Sequence, residues 1–130
     1  MAAPVTALYG GLAGLMILAL AALVVRARWR YRTTLGVGTE PGMERAVRVH
    51  ANFVEYVPLA VLLMLLCELN GASPALLHGA GILLIASRSL HAWGLSQTSG
   101  RSFGRFYGTA GTWLTVLSLS GDLLLRAAGF

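Results

Sequence analysis

Four long apolar runs divide this chain, and short segments rich in Gly, Pro, Ser and Arg separate them. The first run, residues 5–25, is long enough to cross the roughly 30 Å hydrocarbon core of a bilayer as a helix. The second runs from 43 to 69, the third from 75 to 93 and the fourth from 106 to 125. Between them lie G-V-G-T-E-P-G (36–42), N-G-A-S-P (70–74) and Q-T-S-G-R-S-F-G (97–104), all turn-forming sequences. The pattern predicts one all-α membrane domain over residues 1–130, a bundle of four membrane-spanning helices.

The second run breaks the apolar pattern in an ordered way. At about 100° per residue, Arg45, Arg48, Asn52, Glu55 and Tyr56 fall in one stripe roughly 100° wide. Apart from Glu44 and His50, the rest of the segment 44–58 is apolar. A carboxylate and an amide this deep in a membrane helix are costly and mark a buried polar site. His50 lies roughly 140° from the stripe centre, so it points to a site shared with a neighbouring subunit. Pro58 frees the carbonyl of Val54 and predicts a bend below the stripe.

Composition agrees with a membrane location. Hydrophobic residues make up 56% of the chain and charged residues 12%, too few for a soluble surface. Every basic residue is Arg, and the net charge is +5. The Arg residues cluster at span ends, which reads as a topology signal and not as a nucleic-acid footprint. Arg26, Arg28, Arg30, Arg32, Arg45 and Arg48 flank the first loop; Arg88, Arg101 and Arg105 flank the third. Only Arg126 lies at the opposite face. Both Arg-rich loops are therefore expected in the cytoplasm, with both termini on the other side. The first run lacks the preceding basic region of a signal peptide and reads as a retained span. Cys67 reads as a small buried apolar residue, and the scattered His50, His78 and His91 predict no metal site.

Several residues carry two readings. Glu55 suits a ligand ammonium or a structural ion pair with Arg45 or Arg48. Tyr56 suits an interfacial anchor or a hydrogen-bond donor. Gly10, Gly11 and Gly14 suit close helix packing or ordinary membrane-helix composition. Arg88 and His91 are neighbours on the third helix, and Arg88 alone is expected to snorkel to the interface. Arg101 and Arg105 bracket the start of the fourth helix. Asp122 and Arg126, four apart, read as a structural pair.

The residues Glu44-Arg45, Arg48, Asn52, Glu55-Tyr56 and Pro58, with Glu68-Leu69-Asn70-Gly71 and Arg88-Ser-Leu-His91-Ala-Trp-Gly94, resemble the MAPEG family, membrane-associated proteins of eicosanoid and glutathione metabolism. The resemblance covers nearly the whole chain and points to a small bacterial inner-membrane branch. It implies a homotrimer with glutathione held between subunits near the cytoplasmic end. It carries glutathione binding onto Arg48, Asn52, Glu55 and Tyr56, with Arg45 in the same motif. His50 stands where some members have a Gln contributed from the adjacent subunit, and Arg28 matches the Arg after helix one. His91 and Leu95 replace the helix-three tyrosines of the eicosanoid enzymes. The thiol-activating Arg corresponds to Arg101 or Arg105, with Arg101 favoured.

The function this implies is a glutathione-dependent transferase or peroxidase acting on lipophilic electrophiles or hydroperoxides that arrive through membrane lipid. Arg48 and Arg28 suit the glutathione carboxylates, Glu55 its ammonium and Arg101 its thiol, since a nearby cation lowers the thiol pKa from about 8.5. The alternative is a non-catalytic MAPEG-like binding or scaffold protein. A small multidrug exporter ranks last, because the first span holds no acid.

Overall fold

The computed structural model describes residues 1–98 and 100–129. It contains four helices: α1 (Pro4–Tyr31), α2 (Pro41–Leu69), α3 (Pro74–Gln97) and α4 (Phe103–Ala127). Three of them begin with Pro in the first turn, where the missing N–H has no helical partner to lose.

The turn between α2 and α3 follows directly from its sequence. Gly71 adopts φ +78°, and its N–H donates to the Glu68 carbonyl at 3.1 Å. The Ala72 N–H donates to the Cys67 carbonyl at 2.9 Å. This pair of bonds closes a helix on a left-handed glycine. Ser73 then caps α3 by accepting from the Leu76 N–H at 3.3 Å. The start of α1 has no such local cap. Its Val5 and Thr6 N–H groups donate at 2.9 and 2.7 Å to the Glu68 carboxylate, at the far end of α2.

The helices overrun the apolar segments at the Arg-rich end. α1 continues past residue 25 through Arg26, Arg28 and Arg30, whose charges favour a helix C-terminus. α3 extends to Gln97, and α4 starts at Phe103 because Ser102 caps it by accepting from the Arg105 N–H at 3.3 Å. Pro58 lies inside α2, which runs through it unbroken.

Three helices, α1 to α3, are long and apolar enough to cross a membrane. The fourth expected span falls outside that group. It is 25 residues long, but Thr, Ser and Gly along it lower its hydropathy. Three of those hydroxyls are satisfied within the helix: Thr112, Thr115 and Ser118 each donate to the carbonyl four residues back, at 2.8, 3.0 and 2.8 Å.

In cross-section α2 and α3 form the middle of the bundle, and among the described residues α1 and α4 do not meet. α3 and α4 share the most extensive contact. One core cluster joins Ala13, Leu20, Phe53, Val57 and Leu84; a second joins Tyr9, Met64, Leu77 and Leu119. Leu15, Leu18, Leu62, Ile82 and Leu117 face outward, as a lipid-facing surface requires.

The α3–α4 contact is made possible by glycine. A methyl group at Gly108 would lie 2.6 Å from both the Ser87 carbonyl oxygen and the His91 Cβ. At Gly104 it would lie 2.6 Å from the Leu90 carbonyl oxygen. Gly121, on the same helix, meets nothing within 4 Å. Gly108→Ala should therefore lower stability by about 1–3 kcal/mol, read as a lower unfolding midpoint in detergent. Gly121→Ala should be neutral or stabilising by up to about 1 kcal/mol in the same assay.

Candidate functional site

The close approach of α3 and α4 places three polar side chains from three helices together. Arg88 of α3 is 2% exposed. Its guanidinium donates to the Asn52 Oδ1 of α2 at 2.7 Å and to the Thr112 Oγ1 of α4 at 3.3 Å. The snorkelling expected for Arg88 is not what the structure has. A buried charge needs hydrogen-bond acceptors, and here they are supplied inside the bundle. Among the described residues Arg88 makes no ion pair, and its Nε has no partner.

One helical turn away, His91 is buried, with Nδ1 3.2 Å from the Thr109 Oγ1. Tyr56, one turn beyond Asn52 on α2, is half-buried and within electrostatic reach of Arg88.

Two cavities open beside this network. The first, of about 170 Å³, is lined by Glu44, Arg45, Arg48, Asn52, His91, Leu95 and Arg105. The second, of about 540 Å³, shares Asn52, His91 and Arg105 and adds Arg101, Phe106 and Trp113. The first is polar and strongly cationic. The second is walled largely by apolar α4 surface, with Phe106 and Trp113 well exposed. Small-molecule sites typically occupy about 300–1,000 Å³. The polar cavity alone is below that range, and the pair together is within it.

The structure thus brings together five of the residues singled out from sequence: Arg45, Arg48, Asn52, His91 and Arg105. Arg101 joins only the apolar cavity. Arg105 lines both cavities and also donates to the Gly100 carbonyl at 2.6 Å. Arg28 stays apart. Its guanidinium donates to the Gly36 carbonyl at 3.3 Å, and with Trp29, Arg32 and Thr33 it borders a separate surface hollow. His50 is half-buried, and Glu55 is exposed midway along α2. Neither lines either of these cavities.

Sequence reasoning missed Thr109 and Thr112, and it read Arg88 as a snorkelling residue and not as a buried one. A signal for them was present: G-R-F-Y-G at 104–108 is a small-residue motif for close helix packing. It places α4 hydroxyls against α3, where a buried Arg could use them.

At the opposite end, Asp122 and Arg126 pair at 2.7 Å, as their spacing predicts, and Arg126 also donates to the Asn70 carbonyl at 3.1 Å. Cys67 is a buried free thiol whose Sγ lies 3.4 Å from the Leu119 carbonyl.

Residues 6–125 match the MAPEG family. The chain is similar to the Escherichia coli K12 protein described as "Inner membrane protein YecN", with 39% identity over 113 residues, covering 87% of this chain and 85% of that protein. The protein of the same description from Escherichia coli O6:H1 matches equally.

The Thr112 bond to Arg88 can be tested on its own. Thr112→Val leaves a buried guanidinium N–H without its acceptor and should cost about 1–3 kcal/mol, measured as unfolding in detergent. Ser118→Val, which removes a hydroxyl bonded only within α4, should stay within about 0.5 kcal/mol of the parent.

Proposed function

The chain belongs to the MAPEG family, and from that premise we propose that it is a glutathione-dependent transferase or peroxidase of the membrane, acting on lipophilic electrophiles or hydroperoxides. The observation that carries this reading is the junction of the two cavities. A cationic polar cavity lies beside an apolar one, and Asn52, His91 and Arg105 line both. A water-soluble anionic thiol suits the first, and a reactant arriving through lipid suits the second.

The residue roles follow from charge and position. Arg45 and Arg48 suit the glutathione carboxylates, since Arg grips carboxylates with paired donors. Arg105 lies at the junction, where the thiol meets its electrophile, and a guanidinium there favours the nucleophilic thiolate. This position supports Arg105 over Arg101 for that role. Arg101 faces the apolar cavity and would meet the second reactant.

A homotrimer completes the site in this reading. Glu55 is an exposed carboxylate in the middle of a spanning helix, and such a group needs protein or water beside it, not lipid. Packing of α2 against a neighbouring subunit would cover Glu55 and bring His50 and Arg28 to a ligand bound next door. The charge distribution supports placing the Arg-rich loops in the cytoplasm and both termini outside. The name of the Escherichia coli relatives supports an inner-membrane location.

A second reading, a non-catalytic binding protein, has one observation in its favour. The α3 wall of the cavity holds His91, already engaged with Thr109, and the buried Leu95. Neither offers a free hydroxyl to a reacting thiol.

Calorimetry of glutathione with the purified protein tests binding, and turnover with a reactive aryl halide tests chemistry. Arg48→Ala should weaken glutathione binding by roughly 10–100-fold, as expected for a lost charged hydrogen bond. Arg105→Ala should lower turnover at least tenfold, on the order of one general catalytic contribution, while binding changes less. Glutathione binding without turnover would favour the binding protein. Absence of glutathione binding would contradict the glutathione-dependent reading.

A further inference from the structure

We infer that Arg88 is a positioning residue: it fixes the Asn52 amide so that its N–H₂ group, not its oxygen, faces the polar cavity, which makes the cavity selective for a ligand with an anionic or carbonyl oxygen at that point. The inference deepens the reading of this site as a glutathione site and rests on it for the choice of ligand.

A guanidinium only donates, so the two groups it meets must both accept. The Thr112 hydroxyl donates its proton to the Gly108 carbonyl at 2.8 Å, leaving a lone pair toward Arg88. The Asn52 Oδ1 is the other acceptor, at 2.7 Å. Turning the Asn52 amide over would bring N–H₂ against the guanidinium, donor against donor, at a side chain withdrawn from solvent. Arg88 is 2% exposed and has no carboxylate to fall back on among the described residues. The amide orientation is therefore dictated from behind, by a residue that does not line the cavity.

The consequence appears at the cavity wall. Asn52 lines both cavities, and with Oδ1 committed to Arg88 the polar group it can offer is Nδ2. Arg45, Arg48 and Arg105 also present donors only. The other polar groups of this lining are the carboxylate of Glu44, which is exposed at the first turn of α2, and the His91 ring, whose Nδ1 is engaged with Thr109. A ligand group that meets Asn52 must accept a hydrogen bond from Nδ2; an ammonium or amide N–H placed there would set donor against donor.

The chain holds two asparagines, Asn52 and Asn70, so isotope labelling of asparagine gives two side-chain amide signals by NMR of the full-length protein in detergent. Arg88→Lys keeps a donor toward Oδ1, and Arg88→Met removes it. The Asn52 amide should stay near its parent position in Arg88→Lys and should move and exchange faster with solvent in Arg88→Met, with Asn70 unaffected. If Arg88→Met does not fold, Thr112→Val shifts Arg88 without touching the cavity lining and should move the same signal by less. Asn52→Asp retains an oxygen for Arg88 but replaces the donor by an anion. It should keep or raise the unfolding midpoint while weakening glutathione binding about tenfold or more.

An Asn52 signal indifferent to both Arg88→Met and Thr112→Val would overturn the inference. So would an Asn52→Asp variant that binds glutathione as the parent does. A parent protein that binds no glutathione, but whose Asn52 signal still depends on Arg88, would overturn the proposed function and support the amide orientation.

Discussion

A guanidinium buried among helices is the constraint on which this structure depends. Removing a charge from water costs several kcal/mol or more, and Arg88 offsets that cost with two neutral acceptors on two other helices. Those acceptors are in reach only if α2, α3 and α4 hold one register. The glycines of α4 allow it: at Gly104 and Gly108 the helix backbones approach too closely for any side chain. The same approach sets Thr109 against His91. Packing, hydrogen bonding and the shape of the polar cavity are thus one arrangement. A change to any part of it is expected to reach the others.

That arrangement also separates two environments. On the Arg-rich side of Asn52, Arg45 and Arg48 border a small polar cavity. On the α4 side, Phe106, Ala110 and Trp113 border a larger apolar one. Asn52, His91 and Arg105 form the boundary. A site that sets an ionic compartment beside a lipid-like one suits a reaction between partners of unlike solubility. Chemistry of that kind needs both reactants held at one boundary, and the residues common to the two cavities provide it.

Much of the fold was legible in the sequence. The four apolar runs gave the four helices, N-G-A-S-P gave the turn that Gly71 and Ser73 close, and the i, i+4 spacing gave the Asp122–Arg126 pair. The stripe on α2 placed Arg45, Arg48 and Asn52 on one face, and they do line one cavity. What local pattern could not supply was contact between distant residues. Glu68 caps a helix that starts more than 60 residues earlier, and no periodicity relates the two. Arg88 read as a snorkelling residue because its acceptors lie on α2 and α4, beyond any window along α3. The fourth apolar run gave a helix but not one apolar enough to stand with the three candidate spans, because Thr112 and Thr115 lower its hydropathy while bonding to its own carbonyls.

In the proposed function, the cations around Asn52 hold glutathione and favour its thiolate. The most direct test is the ultraviolet difference spectrum of glutathione mixed with the purified protein at neutral pH. A free thiol with a pKa of about 8.5 is only a few per cent ionised there. The account predicts a thiolate absorbance that rises and saturates with glutathione. A protein that binds glutathione without any thiolate band would contradict it.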